Sequence, residues 1–160
     1  LEVHSNLRVL VVVTGKGPQK SMYQERISQL TLERVIINTV WLTPADYPRL
    51  LACADVGVSL HTSTSGLDLP MKVLDLFGCE VPVNAVRFAC LHELIQDDTN
   101  GKIFDTANEL TDLLWHQLKD THGPNHSWGD LHRYSKQLQG RRLWSENWKA
   151  HAQGLVEGDK

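Results

Sequence analysis

Between His61 and Asp75 the chain reads HTSTSGLDLPMKVLD: a histidine, four small hydroxyl side chains, a glycine, two aspartates, a proline and a lysine directly ahead of an apolar run. Pro70 suits the first turn of a helix, which aims that helix's N-terminus at the loop Ser63–Gly66. Such an end carries roughly half a positive charge and several unpaired N–H groups, a good seat for a diphosphate. Ser63, Thr64 and Ser65 can donate to phosphate oxygens, and Gly66 allows close approach of the backbone. Lys72 and Asp75 stand three apart on one helical face, either as an ion pair worth a few tenths of a kcal/mol or with separate tasks. In the second case Lys72 meets a phosphate and Asp75 a ribose, because a carboxylate accepts from two vicinal hydroxyls at once. Asp68 either caps the helix or faces sugar hydroxyls, since an anion there repels a phosphate placed above it. His61 faces the same rim, as a ligand contact or a structural hydrogen bond.

A second polar stretch, TGKGP at 14–18, brings Gly15 and Gly17 to the end of an apolar run. It lacks the third glycine of a dinucleotide fingerprint and the Lys-Ser/Thr of a P-loop. A plain strand-to-helix turn and a backbone approach to phosphate both remain open, and Lys16 reads as a solvated loop charge in preference to a phosphate contact.

The elements that must position these residues follow from periodicity and punctuation. Strands are predicted over 7–13, 34–42, 55–60, 81–86 and 102–104. The first is a continuous β-branched run, which predicts a strand covered on both faces. Helices are predicted over 19–32, from about Asp46 through RLLACA, and over 71–78, 90–95 and 107–118. This alternation predicts an α/β fold, a doubly wound parallel sheet with helices on both faces. Ligands of such sheets bind beyond the carboxyl ends of the strands, so both polar stretches belong on that rim. Residues 119–130 read as a linker and 131–160 as a helical tail with Leu131, Tyr134, Leu138, Leu143, Trp144 and Trp148. Trp144 and Trp148, four apart, read as a packing pair.

A net charge of −3 over 160 residues, with a pI near 6.2, argues against a general nucleic-acid or membrane-surface binder. Cys53, Cys79 and Cys90 include no C-x-x-C pair, which speaks against a disulfide scaffold or zinc knuckle. They read as small buried hydrophobes in a reducing compartment. No run of about 18 apolar residues predicts a bilayer-spanning helix, and the first fifteen residues do not read as a signal peptide. His116, His122, His126 and His132 form no metal-binding pattern, so no metal site is predicted, and His92 and Glu93 read as structural in preference to a place at the ligand-binding rim.

SGLDLPMKVLDLFGCEVPV, with TGKGP, WLTPADYPRLLACADVGVSLHTSTSGLDLP, CLHELI, NGKIF and LWSENW in the same order, resembles the eukaryotic β-1,4-mannosyltransferase family that adds the first mannose to chitobiosyl-diphosphodolichol. The resemblance covers roughly residues 7–150. More loosely, P-x-K-x-x-[DE] followed by G-x-x-P-V resembles the donor domain of two-domain GT-B glycosyltransferases. It implies that 1–118 is a Rossmann-like nucleotide-sugar-binding domain, the C-terminal half of a GT-B enzyme, with GDP-mannose as donor. Asp75 then holds the ribose; Lys72, Ser65 and Gly66 fall at the diphosphate side; Asp68 lies near the donor sugar. Asp68 stands seven before Asp75, whereas the wider superfamily's paired acids stand eight apart. Trp41 and Leu42 lie near the guanine, and Gly15, Gly17, His61 and Ser63 complete the implied donor set.

The implied reaction inverts the anomeric centre, and its general base is expected in an N-terminal acceptor domain outside this sequence, so no catalytic residue is named. No cofactor is required, and Mg²⁺ enters at most through the diphosphate. Implied partners are a lipid-linked chitobiose acceptor and the acceptor domain or other glycosyltransferase subunits, at the cytosolic face of the endoplasmic reticulum. Two rival readings stay open. One is a short paralogue that binds nucleotide or another chain and transfers nothing. The other is a different GT-B activity, such as a nucleotide-sugar epimerase.

Overall fold

The computed structural model describes residues 7–62, 65–119, 129–139 and 144–157. The β-branched runs form strands, and every pairing among them is parallel. β1 (Val9–Thr14) pairs with β2 (Val35–Val40), from Val9 opposite Val35 to Thr14 opposite Val40. β3 (Gly57–Ser59), β4 (Val83–Val86) and β5 (Gly101–Phe104) form a second ladder with β4 in the middle. Parallel neighbours need crossovers. These are α1 (Lys20–Ser28) in the first ladder and, in the second, α3 (Met71–Gly78) and, between β4 and β5, a short 3₁₀ turn at Leu91–Glu93; α2 (Tyr47–Leu51) links the two ladders. α4 (Ala107–Leu118), α5 (Gly129–Leu138), α6 (Trp144–His151) and α7 (Gln153–Glu157) complete the order. The alternating parallel α/β class agrees with the sequence prediction.

Three details differ from it. The ladder hydrogen bonds divide into a two-stranded and a three-stranded set, which approach each other where Leu7 packs with Val9, Val56, Leu114, Leu118 and Leu131. CLHELI tightens into a 3₁₀ turn, with Glu93 N–H donating to the Cys90 carbonyl at 3.1 Å, instead of an α-helix. β1 is not covered on both faces: Leu10 is 61% and Val13 50% exposed, and Ile36 beside them is 61% exposed. α1 meets this ladder through the Gln24 amide, which donates to the Thr39 hydroxyl at 2.8 Å, but it carries no buried residue.

The core centres on α3 and β4. Val73, Leu76 and Phe77 project one face of α3 onto Val81, Val83, Ala85, Leu91, Leu94 and Ile95. Each of these side chains larger than Ala85, when fully buried, contributes about 1.5–3 kcal/mol. Asn84, fully buried in β4, exchanges amide hydrogen bonds with Gln117 of α4 at 2.7 and 3.1 Å, so this buried amide is satisfied.

α5 is fastened by Leu131, Tyr134 and Leu138, all buried. The Tyr134 hydroxyl donates to Asp98 Oδ1, Arg133 donates to the Asp98 carbonyl at 2.7 Å, and Lys102 lies 3.2 Å from the same carboxylate. Hydrogen bonds from Tyr134 first, then Lys102 and Arg133, hold the Asp98 carboxyl at a pKa of about 2, below its ordinary 3.8. A carboxylate depressed in the folded state stabilises the fold above its unfolded pKa, and that contribution disappears as pH falls through the folded value. Between about pH 4 and pH 2 the wild type is therefore expected to lose more of its urea-unfolding midpoint than Asp98→Asn. Superimposable pH profiles would contradict this. Asparagine is a fair control because Asp98 has φ 61°, a region asparagine tolerates.

Candidate functional site

Parallel pairing puts the carboxyl end of every strand in a ladder on one side, and the loops leaving those ends contact one another. Lys16, after β1, lies 5.9 Å from the centroid of Trp41, after β2, and Gly15 N–H donates to the Val40 carbonyl at 3.1 Å. Open space lies beside both Gly15 and Gly17, and the Gly17 carbonyl accepts from Lys20 N–H at the start of α1. After β3, His61 packs edge-on against Phe88, after β4, with ring centroids 5.9 Å apart. The buried Cys90 thiol donates to the Gly66 carbonyl at 2.9 Å. Gly66 has φ 75°, where a side chain costs about 1–2 kcal/mol, so glycine is needed for the turn itself.

Asp68 is a loop residue, not a helix cap. The N-cap of α3 is Pro70, extended at φ −71° and ψ 109°, and no side chain caps there. Pro70 thus ends the loop and the helix begins one residue later, at Met71. The Asp68 carboxylate meets His61 Nε2 at 3.0 Å through one oxygen and accepts from the Ser65 hydroxyl at 3.3 Å through the other. Ser65 in turn accepts from Leu67 N–H at 3.3 Å. His61, Ser65, Gly66 and Asp68 are therefore brought together. Ser63, Thr64, His122, His126 and Leu143 lie outside the described residues.

With Val73, Leu76 and Phe77 turned inward, Lys72 and Asp75 are exposed on α3. The intrahelical ion pair between them is absent: among the described residues Lys72 makes no ion pair, and Asp75 Oδ2 instead accepts from the Tyr47 hydroxyl at 3.3 Å. Burial first, then the Asp75 charge and hydrogen bond, raises the Tyr47 phenol above its ordinary pKa. Cys79, one turn on from Asp75, donates to the Pro48 carbonyl at 3.6 Å; burial and then Asp75 raise its thiol pKa. Sequence pattern alone does not mark Tyr47, Phe88 or Cys90 as site residues. Tyr47 is the first residue of α2, directly after Asp46, and its partner is 28 residues away, so no local pattern marks it.

A cleft of about 390 Å³ borders the loop after β4, lined by Arg87, Phe88, Ala89, His92, Ile103 and Asp105. It adjoins the His61 loop through Phe88. A second, of about 270 Å³, lies at Asp55 and Pro82, ahead of β3 and β4, and thus at the opposite strand ends from Ser65, Lys72 and Asp75. Arg87 spans both oxygens of Asp105 at 2.8 and 3.1 Å. The cysteines differ from expectation: Cys53 is exposed and Cys79 only half-buried. Trp144 and Trp148 stack at 5.2 Å, although α6 has no buried residue. Among the described residues no group of three or more His, Cys, Asp and Glu can hold a metal, and no helix is long and apolar enough to cross a membrane.

The family model described as glycosyl transferases group 1 matches residues 2–120. The chain belongs to that family. Among curated relatives, the chitobiosyldiphosphodolichol beta-mannosyltransferase of Mus musculus is 48% identical over 143 residues, covering 88% of this chain and 29% of its own. The protein of the same name from Dictyostelium discoideum is 55% identical over 106 residues, 66% of this chain and 22% of its own. The UDP-glycosyltransferase TURAN of Arabidopsis thaliana is 43% identical over 155 residues, 97% of this chain and 33% of its own. This glycosyltransferase chain thus spans a third or less of the length of these relatives.

Proposed function

We propose that the chain is the GDP-mannose-binding part of a β-1,4-mannosyltransferase that adds the first mannose to chitobiosyl-diphosphodolichol. The observation that carries this reading is the exposed face of α3. It presents a cation with no ion pair among the described residues and, three residues on, a carboxylate oriented by Tyr47, next to the Ser65–Asp68 loop. Such a face suits a nucleoside diphosphate: Asp75 accepts from the ribose hydroxyls, while Lys72, Ser65 and the first N–H groups of α3 meet the diphosphate. Gly66 and the Gly15–Gly17 turn admit the phosphates, and Trp41 and Leu42 border the base. Asp68, oriented by His61 and Ser65, faces the mannose hydroxyls. The choice of mannose and GDP rests on the resemblance. Of the two kinds of relative named above, one is called a UDP-glycosyltransferase and the other name states no nucleotide.

In the reaction the acceptor GlcNAc hydroxyl attacks mannose C1 and gives its proton to a general base. The bond from C1 to the GDP oxygen breaks with inversion. Lys72, the loop hydroxyls and the α3 N–H groups stabilise the charge left on GDP. We place the general base in the acceptor-side part of a longer enzyme and the reaction at the cytosolic face of the endoplasmic reticulum. Mg²⁺, where present, is held through the diphosphate.

The test is mannose transfer from GDP-mannose to a chitobiosyl-diphospho-lipid. The chain alone is expected to bind GDP-mannose and transfer nothing, and to support transfer when combined with the acceptor-side half of a full-length relative. Transfer by the chain alone would contradict the placement of the base. Absence of any nucleotide binding would favour an inert paralogue.

A further inference from the structure

We propose that Tyr47 is a positioning residue for the ribose of the bound nucleotide: its hydroxyl, donated to Asp75, fixes the carboxylate and ties it to the loop after β2. The proposal rests on the reading of Asp75 as the ribose acid. Asp75 stands exposed on α3, where a carboxylate with no partner samples several rotamers and loses that freedom on binding. Tyr47 removes the freedom in advance. Its hydroxyl is 3.3 Å from Oδ2, and the ring is half-buried at the first position of α2.

The short helix that carries Tyr47 is itself secured at both ends. Thr43 donates its hydroxyl to Asp46 at 2.7 Å and its carbonyl accepts from Tyr47 N–H at 3.0 Å. Farther along, the Cys79 thiol reaches the Pro48 carbonyl, and Leu51 packs against the main core. The tyrosine therefore comes from a braced element and spans 28 residues of sequence to reach the acid.

The contact leaves the acid able to work. A carboxylate offers about four lone-pair sites, and one hydroxyl donor occupies one of them. The remaining sites suffice for the two vicinal ribose hydroxyls. Because α2 follows directly from the Trp41–Asp46 loop, the same hydroxyl couples the segment proposed to border the base to the residue proposed to hold the sugar.

The test compares GDP with 2′,3′-dideoxy-GDP by calorimetric titration of wild type, Tyr47→Phe, Asp75→Ala and the double variant. Wild type is expected to favour GDP. Tyr47→Phe is expected to weaken GDP binding about three- to tenfold, leave dideoxy-GDP unchanged, and have no further effect in the Asp75→Ala background. Equal weakening of both ligands by Tyr47→Phe, or no weakening of either, would overturn the positioning role while leaving the ribose reading intact. A wild type that does not distinguish the two ligands would overturn the ribose reading itself, and the proposal with it.

Discussion

Replacing Asp75 by alanine is expected to weaken GDP binding by about 1–3 kcal/mol, the scale of charged hydrogen bonds lost from a bound ligand. Guanosine should suffer by a similar amount, because the ribose is common to both. Folding should change little: the side chain is exposed, its hydrogen-bond partner is the Tyr47 hydroxyl, and the inward face of α3 consists of Val73, Leu76 and Phe77. Lys72→Ala provides the contrast. Lys72 lies on the same exposed face, yet its proposed target is a phosphate, so its loss should weaken GDP much more than guanosine. Parallel titrations of the two variants with the two ligands separate the roles. A fall in unfolding free energy at unaltered GDP affinity would return Asp75 to a purely structural role, and equal losses for both ligands in Lys72→Ala would remove its phosphate contact.

The largest effect on stability is expected at Gly101. A Cβ built there falls 2.0 Å from the Val83 carbonyl oxygen and 3.0 Å from its carbon. Both are backbone atoms of the central strand β4, opposite Gly101 in the parallel ladder. No rotamer change relieves such an overlap. The strands must separate, and β5 also carries the Gly101 carbonyl that accepts from Asp98 N–H at 2.9 Å. Gly101→Ala is expected to cost at least about 3 kcal/mol, a large part of the 5–15 kcal/mol typical of a domain. Urea denaturation followed by circular dichroism measures it. A change within about 1 kcal/mol would show that β4 and β5 lie farther apart than described.

Much of this frame is legible in the sequence because it is written locally. The β-branched runs around Val11, Ile37 and Val83 are bounded by glycine, proline and asparagine, and parallel order follows from the intervening helices. α3 is read with its limits, since Val73, Leu76 and Phe77 repeat at helical spacing. Coverage is less legible. The Val9–Val13 run reports its own hydropathy and nothing of what lies over it, and α1 carries no buried residue. Asp68 shows a related limit. Its distance from the helix allows a cap or a loop role, and only the extended conformation of Pro70 decides between them.

In the candidate site, Lys72 and Asp75 are legible because three residues of helix place them on one face. Their mutual pairing, plausible from spacing alone, is replaced by a contact with Tyr47 from another element. Long-range partners of this kind, including Cys90 with Gly66 and His61 with Phe88, depend on how loops meet at the strand ends. No local period encodes that meeting.

The central claim is that the face of α3 bearing Lys72 and Asp75 receives a guanosine diphosphate. Isothermal titration of the wild-type chain with GDP and with UDP, under identical salt, tests it most directly. One GDP bound per chain, more tightly than UDP, is the predicted result; preference for UDP, or no heat of binding with either nucleotide, would contradict it.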